Sequence, residues 1–247
     1  MPSAPSRKPL LYAAGAALAA ITLGVVSWQA GAPGARPAAS TSASASSSSA
    51  TSAPGAADAP DPLAALARRD PADKLAVGRA DAPVVLIEYS DFKCGYCGKF
   101  ARDTEPVLMR KYVADGTLRI EWRNFPIFGA ESETAAKAAW AAGRQDRFAR
   151  FHEAAYAEGA KEEGFGEERL TELARQAEVP DLDRFRRDMA GEEATAALRK
   201  DQEEGYRIGV TSTPSFLING QPLAGAQPLD AFEDAITRAK ARAGASK

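Results

Sequence analysis

The sequence predicts an α/β fold: a mixed sheet flanked by helices, with a helical lobe inserted in its middle, carried behind a transmembrane or signal segment. Three observations predict it. An apolar run of strand length, VVLIEY, leads into an amphipathic helical pattern and then a second strand-like run. A long block of helical periodicity follows, from about residue 131 to 206. Strand patterning then returns on both sides of Asn219-Gly220, a strong two-residue hairpin signal, and one last helix closes the chain. Strand, helix, strand, helical insert, hairpin and helix, in that order, call for a mixed sheet with helices on its faces.

The chain divides by composition. Hydrophobic residues at 45% and charged residues at 26% fit a globular class. A net charge of −2, with both signs interspersed, excludes the clustered basic footprint of a nucleic-acid-binding protein. Residues 1–31 read as an N-terminal transmembrane anchor or signal peptide. Arg7 and Lys8 precede the uncharged stretch 10–28, LLYAAGAALAAITLGVVSW, which at a helical rise of about 1.5 Å per residue spans the bilayer hydrocarbon. The positive flank stays inside, leaving a single-pass protein of the cell membrane with its head extracytoplasmic. A signal peptide cleaved at Ala30-Gly31-Ala32 is the alternative and would leave the head secreted or periplasmic; the stretch exceeds the usual apolar core of about 7–15 residues, which favours the anchor. Residues 32–69, rich in Ala, Ser and Pro, read as a disordered tether with a reach of about 30 Å, ending in a short helical or linking segment at 63–69.

Residues 70–247 form the head. Turn formers and Gly78 occupy 73–83, a strand is expected at 84–89, and a helix from about Cys94 to Tyr112 that Pro106 should kink. A second strand is expected at 118–122, with NFPIFG as its exit loop. Helical segments are expected at 134–142, 147–157, 167–177, 182–189 and 193–206, broken by Gly143, the 159–166 loop, Pro180 and Gly191. Strands at 214–218 and 221–224 and a helix at 229–242 complete the pattern.

Cys94 and Cys97, spaced Cys-x-x-Cys, are the only two cysteines, and His152 is the only histidine. A tetrahedral structural zinc site needs four nitrogen or sulfur ligands, so an intrachain site of that kind is excluded and a dithiol cycling with a disulfide leads. Cys94 sits where a helix begins, beside unpaired backbone N–H groups and the positive end of the macrodipole, which favour a thiolate. Cys97, one turn further on the same face, is placed to resolve a mixed disulfide formed at Cys94. Lys93 either adds to that stabilisation or is an ordinary solvated lysine. His152, in RFARFHEAAY, fits the helical lobe as a core-side or surface residue. Outside the cytoplasm such a dithiol can be kept oxidised.

The run YSDFKCGYC, the downstream GVTSTPSFLING, the helical block between them and the ending LAGAQPLDAFEDAI resemble the DsbA-like thioredoxin-fold thiol–disulfide oxidoreductases. The likeness covers about 77–242 and implies a thioredoxin-like sheet. It implies that Cys94 is the exposed nucleophile, Cys97 the buried resolving thiol, and Gly95 and Tyr96 the dipeptide that tunes the potential. It also implies that Pro214 is a cis-proline facing the dithiol, that Thr213 offers backbone groups to an extended client peptide, and that Glu88 is a proton relay beneath the buried cysteine. Two features depart from the oxidising members. Tyr96 stands where many have a histidine, and Cys-Gly-Tyr-Cys also looks like the pair of the disulfide isomerases, whose dimerisation domain this N-terminal arm does not supply.

The expected function is extracytoplasmic thiol–disulfide exchange in oxidative protein folding. Its partners are the thiols and disulfides of secreted or membrane proteins and a membrane partner that recycles the pair. The head is expected to be a monomer, to attach to the membrane through its N-terminal segment, to bind no nucleic acid, and to need no cofactor beyond the Cys94–Cys97 pair. A reductase or isomerase, for example in cytochrome c maturation, and a tethered peptide-binding chaperone are the alternatives.

Overall fold

Strand β2 (Val84–Ser90) is buried along all seven residues, as its near-continuous apolar run requires of a central strand. The structure, a computed structural model, describes residues 61–245. The apolar stretch 10–28 lies outside them, and no described helix is long and apolar enough to cross a membrane. The sheet has the order β1-β3-β2-β4-β5, where β1 is Ala76–Val77, β3 is Leu118–Asn124, β4 is Ser215–Ile218 and β5 is Gln221–Ala224. β2 pairs parallel with β3, from Val84 opposite Leu118 to Ser90 opposite Asn124. β4 runs antiparallel to β2, placing Tyr89 opposite Ser215 and Leu86 opposite Ile218. The Asn219-Gly220 turn joins β4 to antiparallel β5, both residues adopting positive φ as such a turn requires.

Side chains alternate across a strand, and β2 uses both faces. Val85, Ile87 and Tyr89 pack with Phe125, Val210 and Leu217 on one face. Val84 and Leu86 face the larger core, which holds Cys94, Cys97, Phe100 and Phe232. By this alternation Glu88 shares the larger core's face, a carboxyl where the pattern calls for an apolar side chain. Phe100, Phe216 and Phe232 meet with ring centroids 4.6 to 5.1 Å apart, and burying each contributes roughly 1.5–3 kcal/mol.

The parallel β2–β3 connection is helical. It starts as α1 (Gly95–Lys99), widens into a π-helical turn over Phe100–Thr104, tightens in α2 (Glu105–Leu108) and widens again over Met109–Val113. The kink expected at Pro106 is realised as this widening. The N–H of Glu105 reaches back to the Phe100 carbonyl, which spares the turn the clash a proline ring imposes. The helical lobe comprises α3 (Ala130–Gly143), α4 (Phe148–Ala155), α5 (Glu167–Gln176), α6 (Leu182–Ala190) and α7 (Glu192–Arg207). Ala135, Ala136, Ala138, Ala139, Ala141 and Ala142 of α3 are all buried, so small side chains let its neighbours close on it. Helix α8 (Leu229–Ala245) buries Phe232, Ile236 and Ala239.

The boundary expected at residue 70 moves toward the N-terminus, because 61–69 belong to the head. Asp61 starts one helical turn, Ala64–Leu66, its carboxylate accepting from the Leu63 N–H at 2.9 Å. The backbone N–H groups of Arg68 and Arg69 donate to the Glu121 carboxylate at 2.9 and 2.8 Å, and the Arg68 guanidinium pairs with Asp201 at 2.6 Å. Glu121 lies in a buried ion network with Arg119 and Arg123. Burial alone would raise its carboxyl, but Arg119, the Arg68 backbone and Arg123 outweigh it and hold it at about 2.

Candidate active site

The turn 91–94 delivers the first cysteine to the start of α1. Asp91 organises it: its carbonyl accepts from the Cys94 N–H at 3.0 Å, and its carboxylate from the Lys93 N–H at 2.8 Å, an Asx turn. The other carboxylate oxygen takes the N–H groups of Ile127 and Phe128 at 2.6 and 3.1 Å. One side chain thus fixes both the active-site turn and the loop after β3. That loop presents Phe128 and Ile127 on the surface, and Tyr96 beside Cys94 is 69% exposed. Asp91 was missed by sequence reasoning, although an Asp just ahead of a helix start is the signal that could have found it.

Both cysteines are free thiols; Cys94, expected to be exposed, is instead buried against the Thr213 turn with 5% exposure, and Cys97 has none. The Cys94 thiol donates to the Thr213 carbonyl at 3.2 Å across the sheet. The Thr213–Pro214 peptide is cis, so the β4 entry brings Thr213 against the dithiol as the resemblance implies. Cys94 is lowered to about 6. The Cys97 thiol does most of this; burial opposes it, while the Thr213 side chain and the backbone N–H groups of Cys97 and Tyr96 add to it. The Thr213 hydroxyl has no other partner, which leaves it available for the thiolate. Cys97 moves the other way, well above an ordinary thiol, chiefly through burial and then through the thiol and charge of Cys94 and the charge of Glu88.

Glu88 is wholly buried, and neither of its carboxylate oxygens has a hydrogen-bond partner. Burial pushes it up to about 8, with the Cys94 charge adding to the rise and Ser90 and Trp122 opposing it. Lys93 does not serve the thiolate. Its ammonium pairs with Glu131. His152 is core-side, buried among Phe92, Trp122, Phe148 and Tyr156, and burial lowers it to about 3, so it stays neutral. Sequence reasoning also missed Glu105, a buried acid on α2, because nothing in its helical neighbourhood signals burial. The Tyr156 hydroxyl meets that of Ser90 at 2.9 Å, and the Tyr156 ring stacks on Phe92, docking the helical lobe against the dithiol. A cavity of about 200 Å³ beside Cys94 is lined by Gly95, Gly98, Arg102, Tyr156 and Lys161. Among the described residues no three His, Cys, Asp or Glu side chains cluster as a metal site.

Two thiols of opposed tuning and a buried acid on one strand-to-helix unit meet a facing Thr-Pro turn, and the family model described as thioredoxin matches residues 71–238. The chain belongs to the DsbA-like family of thioredoxin-fold thiol–disulfide oxidoreductases. It is 31% identical over 150 residues to a probable disulfide bond formation protein D of Bacillus anthracis, covering 58% of this chain and 69% of that one. It is 34% identical over 167 residues to a Na(+)/H(+) antiporter NhaA 1 of Salinispora arenicola, covering 66% of this chain but spanning only 24% of that longer relative. Among solved structures, BdbD from Bacillus subtilis in its oxidised form superposes with a TM-score of 0.63 at 22% identity, covering 67% of this chain and 92% of that one. A thioredoxin-like oxidoreductase from Silicibacter pomeroyi superposes with a TM-score of 0.60 at 28% identity, covering 68% and 96%. The fold of these relatives is thus the same in kind as that derived from the residues.

Proposed function

We propose that this chain oxidises thiols of secreted or membrane proteins outside the cytoplasm, through the Cys94–Cys97 pair, and is recycled by a membrane partner. The observation that carries the reading is the opposed tuning of the two sulfurs, Cys94 lowered to about 6 and Cys97 raised. A client thiolate attacks Cys94 Sγ of the disulfide, and Cys97 departs as a thiolate. That anion is disfavoured where it stands, and Glu88, protonated at neutral pH, gives it a proton. The client's second thiolate then attacks its own half of the mixed disulfide and displaces Cys94. Cys94 leaves readily because its thiolate is stabilised. Two electrons pass from the client to the pair, and the client keeps the new disulfide.

Thr213 and Pro214 support the client strand, and Tyr96, Ile127 and Phe128 provide an apolar rim for it. Gly95 lies beside Cys94, and a Cβ there would make only an ordinary contact, 3.7 Å, with the Lys161 side chain. Arg7 and Lys8 ahead of the uncharged stretch 10–28, and a relative named for disulfide bond formation, support the extracytoplasmic setting. A Cys97→Ser variant expressed in its own cell tests the reading, because a mixed disulfide formed when its Cys94 thiolate attacks a client disulfide can no longer be released by Cys97. Recovery of secreted or membrane proteins as reducible adducts is expected. Adducts only with a cytochrome-maturation protein, or none, would overturn it.

A further inference from the structure

Glu88 cannot meet water directly, since it is fully buried with both oxygens unpartnered. Any proton it takes up or gives off beyond the one it passes back and forth with Cys97 must reach solvent through a neighbouring group. The adjacent acid is Glu105 on α2, which is 6% exposed and whose carboxyl feels the charge of Glu88. Glu105 lines a groove of about 580 Å³ between the α1–α2 run and α4, and Glu88 does not. Its Oε1 has no hydrogen-bond partner, and its Oε2 lies 3.7 Å from His152 Nδ1. A buried acid kept only for structure would have its oxygens satisfied.

We propose that Glu105 is the outer half of a two-carboxyl relay that carries the Cys97 proton from Glu88 to solvent in the groove. It acts through Glu88 and is a positioning residue for the proton. When Cys97 is deprotonated to attack, its proton passes to Glu88, and the matching proton leaves Glu105 to a water in the groove. The pair ends with as many protons as it began with, and the products are the Cys97 thiolate and hydronium. In the oxidising direction each transfer runs in reverse. Two adjacent buried acids hold one shared proton more readily than they hold none.

The groups around the relay suit it. From β2 come Glu88 and Ser90, from α1 Cys97, and from β3 the Trp122 indole, whose N–H has no hydrogen-bond partner and favours the ionised form of both acids. From α4 come His152, which burial keeps neutral so that it does not trap the proton, and Tyr156. Arg102, Arg110, Arg150 and Glu153 border the mouth, a net positive rim that does not retain hydronium.

The proposal rests on the thiol-exchange reading, and the test separates the two. Reduced protein is mixed with excess oxidised glutathione, and the two steps are followed across pH: adduct formation at Cys94, then release of the second glutathione as Cys97 attacks. Glu105→Gln, an isosteric exchange that removes the titratable group, should leave the first step unchanged. It should slow the second about tenfold near neutrality and flatten its pH profile, less than the roughly 10²–10⁴-fold of a group that takes the proton directly. Glu105→Asp should recover most of the rate with a displaced profile, and Glu88→Gln combined with Glu105→Gln should be no slower than Glu88→Gln alone. A second step in Glu105→Gln within twofold of the parent with the same profile overturns the relay, as does a double variant whose losses multiply. If the Gln variant lost its cooperative unfolding, Glu105→Asp would decide alone, an undisplaced profile overturning the relay. A parent that forms no adduct at all would instead overturn the thiol-exchange reading.

Discussion

Replacing Cys97 by alanine should raise the titration of Cys94, and the size of the rise follows from the site. The Cys97 thiol makes the largest contribution to holding Cys94 at about 6, ahead of Thr213 and the backbone N–H groups. A hydrogen bond to a charged group contributes about 1.5–3 kcal/mol, and one pKa unit corresponds to about 1.4 kcal/mol, so losing this donor moves the midpoint up by roughly one to two units. At neutral pH the parent's Cys94 is then about nine-tenths thiolate, where an ordinary thiol at 9.0 would be about one-hundredth ionised. That difference favours the dithiol roughly tenfold and makes the couple about 30 mV more oxidising. The assay is the ultraviolet absorbance of the thiolate against pH in the reduced parent, Cys97→Ala and Cys97→Ser. Serine keeps a hydroxyl donor in the same place and should stay nearer the parent than alanine. An alanine variant that titrates with the parent would refute the claim that Cys97 tunes Cys94, leaving the backbone and Thr213 to account for the shift.

Glu88→Gln should change how stability depends on pH. The folded carboxyl sits at about 8 against an ordinary 4.5, so the parent is most stable relative to the variant below 4.5 and loses ground as pH rises toward 8. Denaturant unfolding of the reduced proteins should show the variant gaining on the order of 4 kcal/mol over that window; parallel curves would mean that Glu88 is ionised in the fold. Asp91→Ala removes the acceptor of three backbone N–H groups, and at neutral pH should cost roughly 2–4 kcal/mol in the same measurement. It should also raise hydrogen exchange at 127–128 before the rest of the domain, and an unchanged exchange pattern there would show that the loop is held by other contacts.

How much of this was legible follows from the range over which each residue acts. The strand-to-helix unit, the hairpin at Asn219-Gly220 and the helical lobe were readable because apolar periodicity and turn chemistry are local. The two cysteines were readable from spacing and from the want of further ligands. Glu88 was placed through the family resemblance, and the alternation of β2 supplies the physical reason: it lies in phase with Val84 and Leu86, so it must enter the core. Residues 61–69 were not readable, since what holds them is the carboxylates of Glu121 and Asp201, far along the chain. Lys93 was ambiguous for the same reason, its partner Glu131 arriving from the start of α3.

The opposed shifts at this centre share one physical origin, and that bears on the dipeptide between the cysteines. Burial penalises charge at Cys94, Cys97 and Glu88 alike, so burial alone would raise all three. Cys94 escapes because its donors outweigh burial, whereas the single backbone donor from Asp91 does not do so at Cys97, and every Cys94 donor except Thr213 belongs to Tyr96 or Cys97. The Tyr96 ring points out to solvent and adds no charge, so this residue acts on the thiolate through its backbone. The oxidising strength of the pair therefore rests on how the first turn of α1 is held, more than on the side chain at 96. Asp91 and Thr213 hold that turn from either side and tie it to the rest of the fold.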